Sequence, residues 1–151
     1  MDRTGRWSRL CTALLCLNLA FIWGNSLMPG DVSRQISQWV SSLLEGVLNQ
    51  PEIQTEGGHG LLRKLAHFTE FACLGMLLYW HLTIAGKRGR PLAALTLLGG
   101  FAAACIDETI QIFAVDRGPG ILDVLIDTGG TAAGMIFLII GHALIRNLHG
   151  K

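Results

Sequence analysis

Apolar residues fall into four long stretches, at about 10–28, 66–85, 92–113 and 121–145, separated by polar or Gly/Pro-rich breaks. Each is close to the roughly 20 residues a helix needs to cross the hydrocarbon of a bilayer. None shows the alternation or turn spacing of a barrel strand, and a backbone in hydrocarbon must satisfy its own hydrogen bonds, so the pattern predicts helices. Between the first two stretches lies the one long connection. There Val32, Ile36, Trp39, Val40, Leu43 and Val47 recur at helical spacing opposite Ser33, Arg34, Ser37, Ser41, Ser42 and Glu45, predicting an amphipathic helix over about 31–48 that lies in the interface or caps the bundle. Pro51, Gly57, Gly58 and Gly60 predict a loop over 49–60. The expectation is an all-α, polytopic membrane protein with four transmembrane helices plus this interfacial helix.

Composition agrees. With 151 residues, 50% hydrophobic and 15% charged, and a mean hydropathy of +0.44, residues 1–151 have room for one transmembrane domain and no separate soluble one. A net charge of +1 gives no reason to expect nucleic acid as a partner. Cys11, Cys16, Cys73 and Cys105 sit inside apolar runs without metal-ligand spacing and read as packing residues. Arg3, Arg6 and Arg9 precede the first stretch, but no small-residue cleavage site follows it, so an uncleaved signal anchor is expected.

Charge placement says more than charge balance. With the N-terminus inside, Arg3, Arg6, Arg9, Lys87, Arg88, Arg90, Arg146 and Lys151 are cytoplasmic, against Arg34, Arg63, Lys64 and Arg117 outside. Retention of basic residues in the cytoplasm therefore puts both termini inside. Asp2 is the one acidic residue on the cytoplasmic side, and the remaining ten of the 11 fall in the outer half. Trp7, Trp23, Trp39 and Trp80 all come near the expected interfaces.

Polar residues gather at the outer ends of three spans. Lys64, His67 and Glu70 open the second at every third position, covering one broad helix face. Asp107, Glu108 and Gln111 close the third, with Asp107 and Gln111 on one face. Arg117 follows in a Gly/Pro-rich turn, and Asp123 and Asp127 open the fourth at i, i+4, continued by Gly130 and Gly134. A carboxylate at that depth costs a few kcal/mol unless it faces the bundle and finds a partner, so Lys64, His67 and Arg117 are expected counter-charges for Glu70, Asp107, Glu108, Asp123 and Asp127. Structural roles compete at each position: snorkelling for Arg63 and Lys64, helix-end charge effects for Asp123 and Asp127, and close helix packing or self-association for Gly130-x-x-x-Gly134. The His67-x-x-Glu70 spacing alone is too common to assign a metal, and no cofactor is indicated. His81, His142 and His149 lie at the opposite end and His59 in the loop.

In order, Arg63-Lys64-x-x-His67-Phe68-x-Glu70-Phe71-x-x-x-Gly75, Asp107-Glu108-x-x-Gln111-x-Phe113, Arg117, and Asp123-Val124-x-Ile126-Asp127-Thr128-x-Gly130-x-x-x-Gly134 resemble the VanZ-like membrane proteins of bacteria. The resemblance covers about the C-terminal two-thirds of the chain. It departs in the third connection, where Asp116-Arg117-Gly118-Pro119 replaces the Gly-Arg-Ser-Gly common in that family. It implies a small protein of the bacterial cytoplasmic membrane with a link to resistance against the lipoglycopeptide teicoplanin, or to envelope homeostasis, and it implies no reaction. Three functions are left open. The first is recognition of a lipid or another amphipathic, lipid-linked molecule at the outer leaflet, with Lys64 and Arg117 on an anionic head group. The second is hydrolase or transferase chemistry using His67, Glu70, Asp107 or Glu108 as acid and base, with or without a metal. The third is a structural or ion-coupled bundle.

Overall fold

The computed structural model describes residues 3–48 and 56–149. Within them the chain forms helices α1 (Arg3–Ser26), α2 (Gly30–Leu48), α3 (Glu56–Ile84), α4 (Gly89–Gln111) and α5 (Ile121–His149), and no strand. Three segments, Gly5–Ser26, Gly89–Gln111 and Ile121–Leu148, are long and apolar enough to cross a bilayer. Among the described residues, length and composition support three of the four expected spans. The exception is α3, which is 29 residues long but is diluted by His67, Glu70, Tyr79, Trp80 and His81. Its position explains how that polarity is accommodated. It is the hub of the bundle, packed on α5, α1, α4 and α2, and from Glu70 to Ile84 none of its residues is exposed.

The core follows from single stripes on each helix. Leu15 and Ile22 of α1, Phe71 and Leu74 of α3, and Ala103 and Ala104 of α4 form the buried cluster, with Leu19, Trp23, Leu77, Leu78 and Val124 packed around it. The opposite faces keep Leu14, Leu17, Phe21, Leu98, Phe101, Ile136, Phe137 and Ile140 exposed. So much exposed apolar surface is incompatible with water as the surrounding solvent and suits lipid. Cys11 is buried, Cys73 half-buried and Cys16 and Cys105 exposed, all with free thiols.

Small residues set the helix spacing. A Cβ at Gly130 or Gly134 of α5 would overlap the carbonyls of Phe68 and Ala72 on α3, and one at Gly75 would overlap the carbonyl of Thr131. The Gly130-x-x-x-Gly134 stripe is thus taken up inside the chain as close packing against α3. At one end of the bundle α2 is pinned to the α4–α5 connection. The Gly30 amide donates to the Val115 carbonyl at 2.9 Å, and a side chain at Gly30 would strike the Asp116 backbone, which has φ of 56°.

Two local expectations shift. Gly57, Gly58 and Gly60 belong to the first turns of α3 rather than to a loop, because the helix propagates backward from its packed portion and extension is cheap once a nucleus exists. The rest of the expected loop, 49–55, lies outside the described residues. Helix α2 carries the expected amphipathic face, with Val32, Ile36, Trp39 and Leu43 exposed, yet Ser33 and Ser37 point into a cleft against α3.

Gly134→Val is expected to lower stability in detergent by about 3 kcal/mol, the upper range for overpacking a close contact. Gly141→Val on the same helix, with open space around the position, is expected to stay within about 0.5 kcal/mol of wild type; thermal unfolding followed by circular dichroism compares the two.

Candidate functional site

Helical periodicity on α3, α4 and α5 carries the polar residues to one enclosed region near the α2 end of the bundle. Asp107 and Asp127 are both fully buried, at 0% exposure. The side chain of His67, 11% exposed, stands between them, its Nδ1 3.8 Å from Asp107 Oδ2 and 3.8 Å from Asp127 Oδ1. Those separations exceed a hydrogen bond. Asp107 Oδ2 instead accepts from Ser26 Oγ at 2.8 Å and Gln111 Nε2 at 3.0 Å. Neither Asp127 oxygen has a hydrogen-bond donor, and Asp107 Oδ1 and His67 Nδ1 are also without partners.

Glu108 is differently placed. Its Oε2 accepts the Gly120 amide at 2.6 Å and its Oε1 the Gln111 Nε2 at 3.1 Å, so this buried carboxylate holds the start of α5 to the end of α4. Glu70 is half-buried, with Oε1 accepting from Asn25 Nδ2 at 2.8 Å and Oε2 unpartnered. Asp123 is half-buried and lines a small cavity with Arg63, Lys64, His67, Gln111 and Asp127.

The expected counter-charges do not form as drawn. Among the described residues, His67 is the one basic side chain within ion-pair range of a carboxylate. Lys64, three positions before His67, lines the small cavity but is exposed. Arg117 reaches only the Ser26 carbonyl, at 3.5 Å, and leaves its Nε without a partner. Burial, followed by the nearby Arg63 guanidinium, lowers the pKa of Arg117 from its ordinary value, while Asp107, Glu108 and Glu70 act in the other direction.

A second, larger cavity of about 130 Å³ opens beside the buried acids, with Asn25, Ser33, Ser37, Arg63, His67 and Arg117 on its polar side and Ile36, Val40, Leu62 and Ala66 on its apolar side. Asn25, Ser26 and Arg63 are thus site residues that sequence reasoning did not assign. The polar break Gly24-Asn25-Ser26 at the end of the first apolar stretch was the available signal for two of them.

Fold and site together define a small helical membrane protein that encloses a carboxylate–imidazole centre at one end of its bundle. The chain belongs to the VanZ/LLP1 family, whose model matches residues 11–143 and so takes in every site residue described above. No curated protein and no solved structure shows a significant match.

Glu108→Ala removes a charged acceptor of two hydrogen bonds and is expected to destabilise by about 2 kcal/mol. Glu108→Gln, which keeps an oxygen for the Gly120 amide, is expected to lose less; the melting temperatures of the two variants in the same detergent order them.

Proposed function

We propose that the protein recognises an anionic, amphipathic or lipid-linked molecule at the outer leaflet of the bacterial cytoplasmic membrane, as a four-span bundle with both termini in the cytoplasm. The observation that carries this reading is the larger cavity, lined by two arginines, Arg63 and Arg117, neither with a carboxylate in ion-pair range among the described residues. Like charges brought together next to an apolar wall fit an anionic head group with a chain attached, because a planar guanidinium binds phosphate or carboxylate through paired hydrogen bonds. Ile36, Val40 and Leu62 offer surface to the chain, and Asn25, Ser33 and Ser37 offer hydrogen bonds to polar parts of the ligand.

Topology supports the same side of the membrane. The basic residues favour a cytoplasmic α3–α4 connection, where Lys87, Arg88 and Arg90 cluster. A spanning α3 is compatible with its composition because from Glu70 to Ile84 none of its residues is exposed to lipid. Capture of a lipid-tailed antibiotic, or of its lipid-linked cell-wall target, would connect such a site with glycopeptide resistance or envelope homeostasis.

Native mass spectrometry of the detergent-extracted protein tests the reading. Wild type is expected to retain an anionic lipid adduct. Losing one charge-assisted contact, worth about 2 kcal/mol, should reduce its affinity more than about tenfold in Arg63→Ala and in Arg117→Ala. Equal retention of zwitterionic and anionic lipids, unaffected by either variant, would contradict recognition by the arginines, and release of a cleaved product would replace binding with catalysis.

A further inference from the structure

The buried pair of carboxylates poses a problem the arginine cavity does not solve. Asp107 from α4 and Asp127 from α5 are at 0% exposure, yet neither lies within 4 Å of a lysine or arginine among the described residues. Two uncompensated carboxylates in a low-dielectric interior would cost several kcal/mol each. Both Asp127 oxygens, Asp107 Oδ1 and His67 Nδ1 lack a hydrogen-bond partner among the described residues. Buried polar atoms in native folds are overwhelmingly satisfied, so several orphans converging from three helices point to something between them.

From this geometry we infer a binding site for a first-row divalent metal ion, with His67 from α3, Asp107 from α4 and Asp127 from α5 as its protein ligands. One ligand atom from each residue lies within 4.8 Å of the others. The 3.8 Å between His67 Nδ1 and Asp127 Oδ1, both without a hydrogen-bond partner among the described residues, is too long for a hydrogen bond. It suits two ligands sharing one ion at about 2.0–2.2 Å each. The small cavity beside His67 and Asp127 measures about 10 Å³, about the space of one water-sized body. One imidazole nitrogen with carboxylate oxygens and no thiolate is a donor set for zinc, manganese, iron or cobalt rather than calcium, which takes six to eight oxygens.

The surroundings match what a metal requires. Ser26 Oγ and Gln111 Nε2 both donate to Asp107 Oδ2, fixing the carboxylate and leaving Oδ1 free, as outer partners of metal ligands do. A dication would neutralise the two carboxylates and join α3, α4 and α5 at one point. Three protein ligands leave coordination positions for water or for a ligand's oxygen. His67 lines both cavities, so the ion would sit at the partition between them. The inference does not rest on the arginine reading, since neither Arg63 nor Arg117 is a ligand.

The full-length protein in detergent, stripped with a chelator and titrated with Zn²⁺, Mn²⁺ or Co²⁺, tests the site by calorimetry and metal analysis. Expected is one ion per chain, a higher melting temperature with metal, and affinity reduced at least about tenfold in Asp127→Asn and His67→Gln. Arg117→Ala, which removes a nearby positive charge and no ligand, should bind the ion at least as tightly, which separates this site from the anionic cavity. If the ligand variants do not fold, X-ray absorption of the Zn²⁺-loaded wild type decides: a nitrogen and oxygen shell without sulfur supports the site, and sulfur from a cysteine overturns it. Folded wild type that takes up no transition ion, or only Ca²⁺, also overturns it and leaves protons to neutralise the carboxyls.

Discussion

The burial of Asp107 and Asp127 is the constraint around which the molecule is arranged. Two carboxyl groups at 0% exposure in a bundle coated with leucine, isoleucine and phenylalanine must face inward, away from lipid, and be offered something other than water. The responses are visible on every neighbouring helix. Helix α1 ends in Asn25 and Ser26, which donate to Glu70 and Asp107. Helix α4 presents Gln111 to both Asp107 and Glu108. Helix α3 packs on α4 and α5 and brings His67 to both aspartates.

That centre depends in turn on how near the helices come. In lipid no hydrophobic force draws one helix to another, so close van der Waals contact through small residues has to hold the bundle. Gly130, Gly134 and Gly75 let α3 and α5 touch backbone to backbone, and Gly100 of α4 is filled by the Thr131 side chain. The same approach that packs the middle of the bundle carries His67 and Asp127 to 3.8 Å at its end. Packing glycines and site residues therefore share one stripe of α5, and a change in the spacing of the first alters the geometry of the second.

Much of this was legible in the residues. The periodicity of α4 and α5 fixed which acids share a face, and the ordered motifs marked the family. Pairing was not legible, because it depends on distances between helices. Lys64 looked as good a counter-charge as His67, yet the roughly 60° that separates positions three apart on a helix places one outside and the other between two aspartates. Asn25 and Ser26 were masked by the apolar run they end, and their roles appear only when α1 lies against α3 and α4. Ser33 and Ser37 read as part of the polar face of an amphipathic helix and line a cavity, since such a helix resting on a polar site has two polar environments to choose from.

The whole picture turns on the buried carboxylate centre lying near the non-cytoplasmic surface, and thiol labelling across the membrane tests this most directly. In a chain whose four natural cysteines are replaced by alanine, Gly118→Cys sits in the exposed turn beside the site, and Lys87→Cys in the exposed turn at the other end. A membrane-impermeant maleimide added to intact spheroplasts should label the first, and should label the second only after lysis. Labelling of Lys87→Cys from outside, with Gly118→Cys reacting only in lysed cells, would turn the site toward the cytoplasm and contradict recognition at the outer leaflet.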